Sequence, residues 1–242
     1  MAEALLALER VSRRFRGLRA VSNVSFDVPA GHMVALIGPN GAGKTTLFNV
    51  ISGSLAAHAG EIRLAGKRID GLRPDQVCAA GIGRTFQLVK PFAGLSVLDN
   101  VIVGALARTP SVRAARDKAL SILARLGLAD RCDVPAAALT LPDRKRLEVA
   151  RALATEPRVL LLDEVMAGLR PTETDQMVEV FRRLNREHGL TIVLIEHVMR
   201  AVMALSREIH VLHHGELIAS GAPEDIVRNP AVLECYLGEE AA

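Results

Sequence analysis

The chain has 242 residues and a formal net charge of +3 at pH 7, and half of its residues are apolar. A chain of this length can bury one large core, which aliphatic side chains must fill because only 3% of the residues are aromatic. No apolar run reaches the roughly 18 residues that a membrane helix needs, and no secretory signal is visible, so we expect any membrane association to come through a partner. The cysteines match no metal-binding spacing, and we expect reduced thiols at Cys78, Cys132 and Cys235.

Two small basic clusters stand out, at residues 13–16 and 144–146. For both we favour solvated surface charge over a patch that binds nucleic acid, and we expect no nucleic-acid partner.

The N-terminal part predicts a small antiparallel sheet that is interrupted by a buried strand and the loop after it. Alternating apolar side chains, with short turns between the runs, are the signal. A helix opened by Pro74 is predicted at residues 73–80. The strands of this part are predicted at 4–11, 19–28, 34–37, 61–64, 67–69 and 82–85.

The stretch after the strand at 34–37 has the phosphate-binding P-loop pattern Gly-x-x-x-x-Gly-Lys-Thr, and a helix is predicted from residue 46. Glycines let the backbone curl around a polyphosphate with several N–H groups pointing inward, and the helix adds its positive end. Lys44 would place a positive charge on the β- and γ-phosphates, and Thr45 would ligate Mg²⁺. The residues expected to hold the nucleotide are Gly38, Pro39, Asn40, Gly41, Ala42, Gly43, Lys44, Thr45 and Thr46.

From residue 96 to about residue 153 the apolar residues have helical spacing, and we interpret residues 88–154 as an inserted helical subdomain. After Pro157 strands and helices alternate again, as in a parallel α/β fold. The later strands are predicted at 159–162, 191–195, 208–212 and 216–219. The helices are predicted at 114–126, 144–154, 172–188, 198–206, 223–228 and 231–237.

Two of these strands deliver polar side chains at their carboxyl ends, the edge at which parallel sheets bind ligands. Residues 159–162 lead to Asp163, the expected Mg²⁺ partner through water, and to Glu164, which is placed to polarise an attacking water as general base. Residues 191–195 lead to His197, which could hydrogen-bond a γ-phosphate or that water. Two surface carboxylates and a structural histidine are the alternatives.

In this order, the three motifs resemble those of ATP-binding-cassette (ABC) ATPases over essentially the whole chain. The resemblance implies ATP and Mg²⁺ as cofactors and an α/β P-loop NTPase fold. That fold has a RecA-like mixed-sheet core, an N-terminal antiparallel β subdomain and an inserted α-helical subdomain. It also implies a single ABC domain at 1–242, with a nucleotide-binding core at 1–87 and 155–222, the helical subdomain at 88–154 and C-terminal helices at 223–242.

Further roles come only from this resemblance. Gln87 resembles the Q-loop glutamine, which senses Mg²⁺ and contacts the membrane subunit, and residues 168–171 occupy the D-loop position. Phe15 stands where the family stacks an aromatic ring on adenine, and a buried strand phenylalanine is the alternative. Catalysis is assigned to Lys44, Glu164 and His197, and Mg²⁺ coordination to Thr45, Gln87 and Asp163.

Several stretches are more narrowly similar to the ATPases of branched-chain amino acid importers, in particular to the longer of the two ATPases of such systems. Related cassettes that carry urea or other amides, carry aromatic acids or export lipopolysaccharide are the alternatives. The stretches are Gly83-Arg-Thr-Phe-Gln, Gly94-Leu-Ser-Val-Leu-Asp-Asn-Val, Ala150-Arg-Ala-Leu-Ala-Thr, Ala167-Gly-Leu, Ile195-Glu-His-Val-Met and Ile218-Ala-Ser-Gly.

One motif departs from the family. Where the signature Leu-Ser-Gly-Gly-Gln should precede a helix, the chain has Leu139, Thr140, Leu141, Pro142 and Asp143. Pro142 lacks a backbone N–H that could bind phosphate, and Asp143 brings negative charge towards a γ-phosphate. In the family two cassettes close head to tail, so each signature completes the partner's ATP site. A heterodimer would keep this chain's own site complete, whereas a homodimer would weaken both.

The resemblance also implies partners and a location. These are membrane permease subunits, a periplasmic or extracellular solute-binding protein, and a second ABC ATPase, with a heterodimer favoured over a homodimer. The implied location is peripheral, at the cytoplasmic face of the inner membrane. A non-transport cassette acting on DNA or ribosomes is the competing class, but such proteins usually carry two cassettes or a long coiled-coil insert. A P-loop kinase would give no reason for Glu164 and His197.

Overall fold

The fold places two sheets against each other and packs helices on the outer face of the larger one. The computed structural model describes residues 4–87 and 90–237. The predicted start of the helical subdomain, at residues 88–89, and the predicted end of the C-terminal helices, at residues 238–242, lie outside this range. Among the described residues, no helix is long and apolar enough to cross a bilayer.

The strands form a four-stranded antiparallel sheet, in the order β2-β1-β4-β5, and a six-stranded mixed sheet, in the order β10-β9-β3-β8-β7-β6. In the mixed sheet only the edge strand β10 is antiparallel to its neighbour. The strands are β1 (Ala4–Phe15), β2 (Leu18–Pro29), β3 (Met33–Ile37), β4 (Ala59–Leu64), β5 (Lys67–Arg68), β6 (Ile82–Arg84), β7 (Val159–Asp163), β8 (Thr191–Ile195), β9 (Glu208–His213) and β10 (Glu216–Gly221).

The helices follow the predicted pattern with small changes of boundary. They are α1 (Lys44–Ile51), α2 (Pro74–Ala80), α3 (Val97–Ala105), α4 (Val112–Arg125), α5 (Leu141–Ala154), α6 (Pro171–His188), α7 (Met199–Leu205), α8 (Pro223–Ile226) and α9 (Pro230–Leu237). Helices α3, α4 and α5 pack on one another.

The mixed sheet is buried on both faces, which explains its continuous apolar strands. In β3, Val34 and Leu36 face the antiparallel sheet and α1, whereas Ala35 and Ile37 face the helices. The same alternation holds in β7 and β8. The P-loop helix α1 therefore lies between the two sheets, and α3 to α7 cover the other side.

Strand β1 is longer than predicted. It continues past residue 11 to Phe15, which pairs with Leu18 across a two-residue turn. Both turn residues, Arg16 and Gly17, have positive φ (43° and 97°), the conformation that tight hairpins favour. The sequence did not predict this pairing, because residues 13–16 are mostly arginines and an exposed strand does not need alternating apolar residues.

Helix α5 begins one turn before the predicted residue 144. Thr140 caps it, since its hydroxyl accepts a hydrogen bond from the Asp143 N–H at 3.5 Å, and proline is well tolerated in a first helical turn. The expectation that the signature residues precede the helix is therefore wrong for residues 141–143. The expectation of solvated surface charge is wrong for Lys145, which is only 5% exposed.

Candidate nucleotide site

The P-loop joins the buried strand β3 to α1, and two of its glycines are required by close contacts. Gly38 and Gly43 have φ values of 143° and 103°. A Cβ atom would lie 2.0 Å from the Leu212 carbonyl oxygen at Gly38 and 2.2 Å from the Ala20 carbonyl oxygen at Gly43. Carbonyl groups of the neighbouring strands β9 and β2 therefore lie in direct contact with the loop, and only glycine fits at these two positions.

Lys44, at the start of α1, folds over the loop. Its ammonium donates hydrogen bonds to the carbonyl oxygens of Gly38, at 2.5 Å, and Pro39, at 2.7 Å, and the residue is 6% exposed. A positive charge thus lies at the centre of the loop and next to the N-terminal end of α1, an arrangement that attracts a phosphate.

A cleft of about 500 Å³ opens in front of the loop. Phe15 lies at this cleft and is 41% exposed, so the alternative of a buried strand phenylalanine is wrong. The guanidinium of Arg13 lies 4.9 Å from the centre of the Phe15 ring. The cleft brings together the sequence-predicted residues Phe15, Asn40, Gly41, Ala42, Gly43, Lys44, Thr45, Thr46, Gln87 and Glu164.

Glu164 is the meeting point of the predicted catalytic residues. One of its carboxylate oxygens accepts a hydrogen bond from the Gln87 amide at 2.6 Å, and the other lies 2.9 Å from the His197 Nε2 atom. Its φ of 50° turns the chain sharply after β7. Three segments that are distant in sequence thereby converge on one carboxylate at the edge of the cleft.

Asp163 is buried beneath this carboxylate, at 1% exposure. Its Oδ2 atom pairs with Arg84 at 3.0 Å, while its buried Oδ1 atom has no hydrogen-bond partner among the described residues. Burial raises the pKa of the Asp163 carboxyl, and the Arg84 ion pair opposes that rise. The orphaned oxygen needs a cation or a water to satisfy it.

The residues present fit a magnesium ion. Thr45, Gln87 and Asp163 line one shared cleft of about 480 Å³, next to the P-loop. A hydroxyl, an amide and a carboxylate with one free oxygen are the hard ligands that Mg²⁺ takes together with water and phosphate. No group of three or more His, Cys, Asp and Glu side chains suited to a metal occurs within residues 4–87 and 90–237.

Arg84 is a site residue that the sequence analysis missed. It ends β6, and its side chain is nearly buried. Its guanidinium pairs with Asp163 and donates hydrogen bonds to the side-chain amide oxygen of Asn49 on α1, at 2.7 Å, and to the hydroxyl of Ser52 just after α1, at 2.9 Å. The available signal was an arginine at the end of an apolar strand, directly before the Thr-Phe-Gln stretch. A buried arginine needs a buried acceptor, and Asp163 is that acceptor.

The signature residues lie away from this chain's own cleft. Leu141 is 46% exposed, and Leu139 is buried against the helices. Asp143 lies 3.8 Å from Arg146 and 4.0 Å from Arg131. These two guanidinium groups partly offset the negative charge that Asp143 was expected to bring towards a γ-phosphate.

A family model described as "ABC transporter" matches residues 21–167. The chain belongs to the ABC transporter family. A second model, described as "Branched-chain amino acid ATP-binding cassette transporter", matches the C-terminal residues 216–242 of this ABC cassette.

Curated relatives align along nearly the whole cassette. The high-affinity branched-chain amino acid transport ATP-binding protein LivG of Salmonella typhimurium is 41% identical, over 99% of this chain and 100% of that protein. LivG of Escherichia coli K12 is 40% identical with the same coverage. BraF of Pseudomonas aeruginosa, with the same description, is 38% identical over 99% of this chain and all of its own length.

Solved structures confirm the α/β cassette fold. The ADP conformation of an ATP-binding cassette of an ABC transporter superposes with a TM-score of 0.89 at 30% identity, and covers 98% of this chain and 100% of that one. A nucleotide-free cassette superposes with a TM-score of 0.87 at 29% identity, over 97% and 99%.

Proposed function

We propose that this cassette binds ATP with Mg²⁺ and hydrolyses it to drive uptake of branched-chain amino acids through separate permease subunits. The chemistry rests on one observation: the Glu164 carboxylate lies at the edge of the P-loop cleft and is held by Gln87 and His197. The solute class is supported by the match of residues 216–242 and by the names of the full-length relatives.

Each group of site residues has a separate role in the proposed reaction. The inward N–H groups of the P-loop and the Lys44 ammonium hold the β- and γ-phosphates, and Phe15 stacks on the adenine ring. Glu164 orients the attacking water and takes its proton, and His197 stabilises the charge on the γ-phosphate. Thr45, Gln87 and the Asp163 oxygen that has no hydrogen-bond partner among the described residues would hold Mg²⁺, partly through water, and the ion would supply positive charge at the phosphate oxygens.

The working unit is a pair of cassettes. The signature segment, residues 139–143, lies away from this chain's own cleft and is exposed at Leu141, as expected for a surface that covers a partner's nucleotide. A different ATPase with an intact signature would complete the site of this chain, so a heterodimer is favoured. The pair acts at the cytoplasmic face of the inner membrane, bound to permease subunits that receive the solute from a binding protein.

An uptake experiment tests this function. The gene is deleted in its host and replaced by the unsubstituted gene or by the Glu164→Gln variant. Uptake of radiolabelled leucine, isoleucine and valine is measured beside urea and phenylalanine. We expect the deletion to abolish branched-chain uptake and only the unsubstituted gene to restore it. Loss of urea or phenylalanine uptake instead would assign a different solute, and no loss at all would contradict a role in import.

A further inference from the structure

Two opposite charges lie buried behind the catalytic turn, and no part of the proposed reaction uses them. Lys145, on α5, is 5% exposed, and Glu196, between β8 and His197, is 2% exposed. Removing a charge from water costs several kcal/mol unless other groups compensate for it. Both residues therefore make contacts that justify their burial.

Their contacts hold the turn that carries Glu164. The Lys145 ammonium donates a hydrogen bond to the Glu164 carbonyl oxygen at 2.9 Å. One carboxylate oxygen of Glu196 accepts a hydrogen bond from the Met166 N–H at 2.8 Å, and the Glu164 N–H donates to the Ile195 carbonyl at 2.9 Å. The turn from Glu164 to Met166 is thus fixed by α5 on one side and by the end of β8 on the other.

The two charges also support each other. The second Glu196 oxygen is buried without a hydrogen-bond partner in the described part of the chain, and the nearby positive charge of Lys145, together with the Met166 N–H, favours the ionised carboxylate. Burial raises the pKa of Glu196 to about 7, while attraction to Lys145 lowers it and repulsion from Glu164 raises it. Burial lowers the pKa of Lys145, and the nearby carboxylates Glu196, Glu164, Glu148 and Asp163 oppose that change.

We propose that Lys145 and Glu196 are a pair of positioning residues that hold the Glu164 turn in its catalytic geometry and tie it to α5, the helix that begins with signature residues 141–143. This inference rests on the proposed function. Neither residue touches the substrate. Both act through the backbone of the turn, which must keep a non-glycine residue at a φ of 50°.

The pair gives the two ATP sites of a dimer a physical connection. The first turn of α5 contains signature residues 141–143, and Lys145 lies one turn further along the same helix. A shift of that first turn, as the partner's nucleotide binds or leaves, moves the Lys145 ammonium. The Lys145 hydrogen bond then displaces the carbonyl of Glu164, so the state of one site alters the geometry of the base in the other.

The test is steady-state ATP hydrolysis by the assembled transporter. Lys145→Met keeps the length of the side chain but removes the charge, and we expect kcat to fall roughly tenfold while KM for ATP stays within about twofold. Lys145→Arg keeps the charge and the donors, and should retain at least about half of kcat. Lys67→Met, at an exposed position on β5, is the matched control and should match the unsubstituted protein. Unchanged thermal unfolding and ATP binding in the variants would separate positioning from folding.

A double-mutant cycle tests the pairing itself. Glu196→Gln keeps an oxygen that accepts from Met166 but removes the charge. If the residues act as a pair, the double variant Lys145→Met with Glu196→Gln is no slower than the slower single variant. A normal kcat in Lys145→Met, or losses that multiply in the double variant, would overturn the pair while the transport function stands. An unsubstituted transporter that hydrolyses no ATP would overturn both.

Discussion

At the scale of single residues, Glu164 makes four hydrogen-bond contacts with three separate segments of the chain. Gln87 and His197 hold its carboxylate, Lys145 holds its carbonyl, and its own N–H donates to Ile195. Fixing the Glu164 side chain in this way costs conformational entropy when the protein folds. That cost is then no longer part of the activation free energy of the reaction. The site is therefore organised around the position of one carboxylate, which is the predicted general base.

The Glu164→Gln variant tests that role. The amide keeps the shape of the side chain but cannot take a proton, so we expect turnover to fall by at least about 100-fold. ATP binding should stay close to normal because the P-loop is unchanged. Turnover is measured by phosphate release and binding by fluorescence of a labelled ATP analogue. Glu179→Gln, on the exposed face of α6, is the control, and similar turnover in the two variants would remove Glu164 from catalysis.

Arg84 is the residue whose loss should change the magnesium requirement. It fixes one oxygen of Asp163 and leaves the other free. In Arg84→Gln the buried carboxylate loses its ion pair and can rotate, so the Mg²⁺ concentration for half-maximal hydrolysis should rise several-fold. Arg73→Gln, at an exposed ion pair with Asp75, is the control. The same Mg²⁺ dependence in both variants would show that Arg84 does not orient Asp163.

At the scale of elements, the sequence predicts the sheets, the P-loop and the Asp163-Glu164 pair, because each is indicated by a local pattern of residues. A buried strand followed by glycines and a helix is visible within 15 residues of sequence. The Arg84–Asp163 ion pair could not be predicted, because it depends on the register between β6 and β7. That register places Arg84 opposite Leu161. The burial of Lys145 was missed for the same reason: it depends on where α5 packs, and its neighbours in sequence, Arg144 and Arg146, are more exposed.

The junction of the two sheets predicts a dependence of stability on pH. His210, on β9, packs its ring on Phe26 at 4.3 Å and bonds the Ser220 hydroxyl at 2.8 Å. Burial lowers the pKa of His210 from 6.5 to about 4. Between these values the unfolded chain binds a proton that the folded chain does not, so acidification favours unfolding. This histidine should therefore lower the free energy of unfolding by up to about 3 kcal/mol as the pH falls from 6.5 to 4.

Chemical denaturation at pH 7.5 and at pH 5 measures this effect. The variant His210→Phe can keep the ring contact but has no proton to bind, so its loss of stability on acidification should be smaller than that of the unsubstituted protein. His188→Phe, at the exposed end of α6, is the control. Equal losses in all three proteins would mean that His210 does not account for the pH dependence.

At the scale of the whole molecule, the nucleotide site and the signature of one chain belong to different ATP sites of the proposed dimer. Lys44 and Glu164 line the P-loop cleft and Asp163 lines the adjoining cleft, whereas the signature has no backbone N–H donor at Pro142, in the first turn of α5. The weak part of this chain is therefore the signature segment, with which it would complete the ATP site of its partner. Arginines beside Asp143 reduce that weakness but do not replace the missing N–H.

This asymmetry predicts how ATP turnover depends on the partner. The chain alone can only form a homodimer, in which both sites receive the altered signature, and we expect turnover per site to be at least about tenfold below that of the mixed pair. Adding a partner ATPase with an intact signature should restore turnover at this chain's own site. Lys44→Ala in this chain should then abolish most of the activity of the mixed pair, whereas the same change in the partner's P-loop should abolish little. Brisk turnover by the chain alone would contradict the impairment, because it would show that Thr140, Leu141 and Asp143 suffice to close an ATP site without a donor at Pro142.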